Sequence, residues 1–351
     1  MHLRLACVLV WVSVVGMMGA DGPRPLEIDF IDVNGGAATL VVTPSGESIL
    51  IDSGWAGFDD RDPKRIEHVL KDVAGRDHLD HLITTHWHAD HFGGVEGLAK
   101  RVRVDHYWDR GLPEDGSPVG GPGNFPDGPR PGDKLGDAYR RVTLGKRSVL
   151  RAGDRLPLKP GVEAIVLASG GEVIPAPPGA QPNPLKTSAE PDQAVDRSDN
   201  ARSLALKFSL GKFDFLDCGD LTWNVEKALV VPFDRVGPVD LFQVTHHGMD
   251  ISNYPTLVRT IAPIVAIMNN GPRKGGSPAT VALLRSIPSI QAAYQLHKNA
   301  GTGADQNTDP KLIANADMAG GQFIRVLVEP GGGKFSVQIG AEGAKREFAT
   351  H

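Results

Sequence analysis

Thr85-His86-Trp87-His88-Ala89-Asp90-His91-Phe92-Gly93-Gly94 sets three histidines and a carboxylate within six positions, directly behind the apolar run 79–84. In extended backbone, residues two apart point to the same side, so His86 and His88 can converge on one point. Asp90 and His91 then turn the other way, as a second half-site requires. Gly93 and Gly94 behind them let the backbone pass close to a bound group. Imidazole with carboxylate suits zinc, iron or manganese better than calcium or magnesium. The competing reading is a solvated His-rich turn. The chain has only 12 histidines in 351 residues, and three stand here at a strand end. This is read as a metal site.

Two later segments belong with it. Phe213-Asp214-Phe215-Leu216-Asp217-Cys218-Gly219-Asp220 reads as a strand ending in Gly-Asp, and Val239 to Gly248 as a strand ending in His246-His247. The pattern His-x-His-x-Asp-His-x-Gly-Gly, followed in order by Gly-Asp and a late histidine, resembles the signature of the metallo-β-lactamase superfamily. The resemblance implies an α/β fold, the four-layer αβ/βα sandwich, with two divalent transition-metal ions, zinc first, at the sandwich edge. It implies His86 and His88 on one ion, Asp90, His91 and His246 on the second, and Asp220 as the bridge. His247 is the alternative to His246, because sequence cannot separate adjacent histidines. Asp90 is also expected to orient the nucleophile. Asp52, ending the run 49–51, is a candidate partner for a ligating imidazole. Asp29 and Asp32 are weaker candidates, read as a solvated edge.

The resemblance narrows further. Ile28 to Leu40, Thr43-Pro44-Ser45-Gly46, Ile49 to Gly54, Asn200-Ala201-Arg202-Ser203-Leu204 and His246-His247-Gly248 are similar to the ComEC-type branch, over about residues 26–300. That branch lacks the third-motif histidine of β-lactamases. Accordingly no histidine lies between His106 and His246, and Asn200 or Asp199 is a possible substitute. Two departures concern the substrate rather than the ligands. Ser277 stands where the branch commonly has the histidine of Gly-His-Pro, and His297 stands in a strand that more usually carries threonine. His297 is read as a half-buried strand residue rather than one leaning toward the site.

Composition fits a soluble globular protein, with 40% hydrophobic and 23% charged residues and a net charge of −5. No dense Lys/Arg run is present, so no strong nucleic-acid-binding signature is encoded. Residues 1–20 read as a signal peptide: Arg4, an apolar stretch over 5–15 too short to span a membrane, and small residues to Ala20. The mature chain, 21–351, is expected to be secreted or periplasmic with no membrane attachment. It would keep one cysteine, Cys218, read as a small core residue rather than a thiolate ligand.

Strands are expected over 26–33, 39–43, 48–52, 79–85, 102–108, 162–167, 203–210, 213–217, 241–245, 264–268, 290–296, 323–328 and 334–339. Helices are expected over 63–73, 95–101, 138–146, 223–230, 255–261 and 278–286. Two Pro/Gly-rich loops, 111–132 and 175–199, are long enough to wall an active site. The function expected is a secreted metal-dependent hydrolase in which a shared metal-activated water attacks a small-molecule or polymeric phosphodiester. A lactam or lactone hydrolase and a non-catalytic metal-containing binding module are the alternatives.

Overall fold

The computed structural model describes residues 24–112, 129, 132–185, 190 and 193–351. The expected signal peptide lies outside the described residues, as do most of the loop 111–132 and part of the loop 175–199.

Among the described residues, seventeen strands run in chain order as β1 (Leu26–Phe30), β2 (Thr39–Val42), β3 (Ser48–Ile51), β4 (His78–Ile83), β5 (Arg103–Asp109), β6 (Arg147–Val149), β7 (Glu163–Ser169), β8 (Glu172–Val173), β9 (Ala205–Leu210), β10 (Phe213–Asp217), β11 (Leu241–Gln243), β12 (Val265–Met268), β13 (Ala292–His297), β14 (Ile313–Asn315), β15 (Ile324–Val328), β16 (Lys334–Ile339) and β17 (Arg346–Ala349). They form two sheets. The first has the order β17-β16-β15-β1-β2-β3-β4-β5-β6, and the second β14-β13-β12-β11-β10-β9-β7-β8. Hairpins join the antiparallel parts, while β3 to β6 and β10 to β14 run parallel.

Parallel neighbours need a crossover, and helices supply it. Arg61–His68, continued by a π turn at Val69–Val73, links β3 to β4. Trp223–Val230, Pro255–Ile261 and Pro278–Ser286 follow β10, β11 and β12. Ser277 caps the last of these by accepting from the Thr280 N–H, with Pro278 at the first helical position. Helix initiation is therefore what the serine does in place of the expected histidine.

Side-chain alternation builds the layers. On β2, Val41 enters the core between the sheets, while Leu40 and Val42 face the helices. On β10, Phe213 and Phe215 face inward and Leu216 outward. Phe30 meets Phe215 edge-on between the sheets at 5.9 Å. Ile66, Leu70 and Leu98 cover the first sheet, and Leu229, Leu257 and Leu284 cover the second. The result is the α/β four-layer sandwich. Among the described residues, no helix is long and apolar enough to cross a membrane.

Candidate metal centre

The parallel strands carry their functional residues just beyond their C-terminal ends, where open α/β sheets place ligands. Asp52 follows β3, the turn Thr85 to His91 follows β4, Asp220 follows β10, and His246 and His247 follow β11. Gly93 and Gly94 serve this turn differently from the sequence reading. A Cβ on Gly94 would lie 2.0 Å from the Ser53 carbonyl, and one on Gly93 2.6 Å from the Ala56 nitrogen. They admit the chain at 53–56 rather than a bound group.

The decisive geometry is centred on Asp220. Its Oδ2 has the Nε2 atoms of His91 at 3.2 Å, His246 and His247 at 3.4 Å, and His86 at 3.9 Å. Asp90 Oδ2 faces His247 Nε2 at 3.2 Å and His91 Nε2 at 3.3 Å. Two groups have ligand atoms close enough to share an ion: Asp90, His91, Asp220 and His247 in one, and His86, His88 and Asp220 in the other. Asp220 is common to both, which is the arrangement a bridging carboxylate needs. His86 Nε2 is buried with no hydrogen-bond partner among the described residues, a costly state that a metal ion would relieve.

The other ring nitrogens explain this convergence. His91 Nδ1 bonds Asp52 Oδ2 at 2.7 Å, and His247 Nδ1 donates to the Asn269 carbonyl at 3.2 Å. His246 Nδ1 meets Ser252 Oγ at 3.0 Å. Thr85 Oγ1 donates to Asp52 Oδ2 and so accepts from His86 Nδ1 at 3.1 Å. Each Nδ1 is thus engaged, and each Nε2 is presented to the centre, as second partners of metal-binding imidazoles do.

Electrostatics follow from burial and crowding. Burial works to raise the Asp220 carboxyl, but His247, His91 and His246 outweigh it and hold it well below the usual range. Asp90 behaves likewise, with His91, His247 and Lys274 outweighing burial. Burial pushes His91 down, yet Asp220, Asp90 and Asp52 carry it well above an ordinary imidazole. His86 is driven well below by burial and by His91, and burial takes His246 down to about 4.

The structure groups His247, rather than His246, with Asp90 and His91. Both histidines have left-handed backbone, at φ 55 and 54, and so leave the turn in different directions. His246 faces Asp220 and lies 3.4 Å from Asn200 Nδ2. Asp199 is turned away from the centre: it accepts from the Trp87 N–H at 2.5 Å and pairs with Arg110. His297 is fully buried against Asp32 at 2.7 Å, and Asp32 also pairs with Arg65. Asp29 is buried against Arg325 at 2.8 Å. Asp29 and Asp32 are therefore internal ion-pair partners, not a solvated edge. Cys218 is buried among Leu216, Leu221 and Val244, and burial pushes its thiol well above the ordinary value.

Lys274 was not legible in advance. Its ammonium bonds Asp90 Oδ2 and lies 5.4 Å from the Trp55 ring centre. A third group, His78, Asp80 and Asp105, sits at the opposite, N-terminal ends of β4 and β5 and is half-exposed.

The metallo-beta-lactamase superfamily profile matches residues 31–188. That match makes this stretch, somewhat under half of the chain, similar to the metallo-beta-lactamase superfamily. No curated protein matches it. Similar solved structures include CmlA, a diiron β-hydroxylase from Streptomyces venezuelae, at 16% identity and TM-score 0.44, covering 78% of this chain and 53% of that one. A diphosphatase from the PhnP family is similar at 12% identity and TM-score 0.38, covering 78% and 96%. A metallo-β-lactamase motif mutant from Cronobacter sakazakii is similar at 16% identity and TM-score 0.33, covering 64% of each chain. The chain spans about half, 53%, of the length of CmlA.

Proposed function

We propose that the chain is an exported hydrolase of the ComEC-like branch that cleaves phosphodiesters, with two divalent ions, zinc first, held by His86 and His88, by Asp90, His91 and His247, and by Asp220 between them. The similarity over residues 31–188 and the ligand set together support a metal-dependent hydrolase. The observation that carries the reading is one buried carboxylate oxygen, Asp220 Oδ2, ringed by four imidazole nitrogens. His246 faces the same oxygen without joining either group of ligand atoms.

When bound, two such ions supply Lewis acidity and an activated water. The protein's own groups do the rest. Asp90 is held ionised, so it accepts a hydrogen bond from the attacking water rather than donating a proton. Lys274, fixed between Asp90 and Trp55, offsets charge on a substrate oxygen. Asn200 Oδ1 is buried beside His246 without a partner among the described residues, leaving one acceptor for a substrate or ligand donor. Two divalent ions and Lys274 outweigh the charges of Asp52, Asp90 and Asp220. A net positive site stabilises an anionic phosphodiester better than a neutral lactam or lactone.

The test is kcat/KM on bis-p-nitrophenyl phosphate and on a chromogenic cephalosporin with the same metal loaded. The phosphodiester should be preferred, and Asp220→Ala should abolish turnover and release both ions together. A lactam preference above ~100-fold, about 2.7 kcal/mol in barrier, would reverse the assignment. Export is checked by N-terminal sequencing from the native host, which should begin near Asp21; retention of Met1 contradicts it.

A further inference from the structure

The geometry points to a subsite for an aromatic, anionic part of the substrate, an aryl or nucleoside phosphate group, in the cavity beside the metal centre. This cavity of about 280 Å³ is lined by Asn34, Trp55, Phe58, Arg61, Arg273 and Lys274, together with Pro272. Its volume is near the lower end of the ~300–1,000 Å³ of small-molecule sites, room for one ring system and its charge. The inference rests on the phosphodiester reading and adds which half of the ester is recognised.

Continuity with the centre comes from two contacts. Lys274 bonds the Asp90 carboxylate while its ammonium lies 5.4 Å from the Trp55 ring centre, so one side chain belongs to both walls. Gly36 lies beneath them: a Cβ there would come within 2.4 Å of the Asp90 carbonyl and 3.2 Å of Trp55 Nε1. The Trp55 backbone is itself tied down, its N–H donating to Asp62 Oδ2 at 2.9 Å. A group bound against Trp55 therefore has its charged end at the metal ligands.

The chemistry of the lining specifies the ligand. Three cationic side chains line the cavity; Arg61 is paired with Asp62 and Lys274 with Asp90, and Arg273 is the one left over for a ligand's charge. Arg273 is exposed and makes no ion pair among the described residues. The Arg61 guanidinium covers the Phe58 ring at 4.7 Å. Phe58 is 64% exposed, at odds with ordinary burial of a large apolar ring. Its backbone lies in a run of positive φ, from Gly57 at 84° through Phe58 at 50° and Asp59 at 54° to Asp60 at 56°. Bulky residues rarely adopt this conformation, and the run presents the ring at the cavity rim. Aromatic faces backed by cations accept flat rings by stacking and their phosphates by charge.

Isothermal titration of the zinc-loaded protein with phenyl phosphate and with methyl phosphate tests this without turnover. Both probes reach the metal ions, so their affinity ratio isolates the cavity. Phenyl phosphate should bind about tenfold tighter in the wild type. Phe58→Ala and Arg273→Gln change exposed side chains that do not support the core, and each should reduce the ratio to about twofold. A wild-type ratio below about twofold, or a ratio unchanged in both variants, overturns the subsite. If bis-p-nitrophenyl phosphate is not hydrolysed yet the ratio and its loss are seen, the subsite stands and the reaction assignment fails.

Discussion

Replacing Asp52 by Asn separates the two half-sites. Asp52 is buried at φ 62, a left-handed conformation that Asn tolerates, so the backbone is kept. An Asn carbonyl can still accept from the Thr85 N–H, now held at 2.8 Å by Asp52 Oδ1. What is lost is the carboxylate oxygen 2.7 Å from His91 Nδ1. Two effects oppose one another. Without Asp52, His91 gives up its proton more readily, which favours metal binding. The same carboxylate, however, stabilises any cation across the ring, and a divalent ion carries twice the charge of that proton, so the loss prevails. Partners of this kind contribute roughly 10–100-fold in metal affinity, about 1.4–2.7 kcal/mol. Competition with a chromophoric zinc chelator should therefore show one of two ions weakened by that factor. The ion held by His86 and His88 should stay within about threefold, since neither imidazole touches Asp52 directly. Equal weakening of both ions, or no weakening, refutes the reasoning.

Glu226 is fully buried and accepts from the Asn253 and Tyr254 N–H groups at 3.0 and 2.8 Å, and burial pushes its carboxyl up to about 7. Its folded value exceeds the unfolded one, so stability is full below about pH 4.5 and falls by ~3 kcal/mol as pH rises through 7; urea unfolding of Glu226→Gln should lose that slope between pH 5 and 8, and an unchanged slope contradicts it. Asp32→Ala breaks the buried pairs with His297 and Arg65 and should cost about 3–5 kcal/mol by denaturant unfolding, while leaving zinc affinity unchanged; a parallel loss of zinc would place His297 in the site. Cys218 should resist thiol reagents in the native protein and react only after unfolding.

Elements buried on two faces were legible. Trp223–Val230 follows from apolar spacing, Pro255–Ile261 and Pro278–Ser286 from apolar spacing with an N-terminal proline, and the long inner strands from β-branched and aromatic runs. The strands missed were β6, β8, β14 and β17, which are the four edges of the two sheets. An edge strand packs one neighbour and carries little hydrophobic pattern, so its sequence reads as loop. In the site, the motif residues between 86 and 91 were readable because local spacing fixes their directions. The different directions of His246 and His247 were not, because two successive left-handed residues set them. Asp52 was visible as a polar residue closing an apolar strand. Lys274 was not, since its role depends on β12 delivering a Gly-rich turn to Asp90, 184 residues away in sequence.

Anomalous diffraction at the zinc edge, from crystals grown with zinc and without chelator, tests the central claim most directly. Two peaks are expected: one bounded by His86 and His88, the other by Asp90, His91 and His247, with Asp220 between them. A single peak away from Asp220, or none near these residues, would contradict the assignment of this cluster as a dinuclear metal centre.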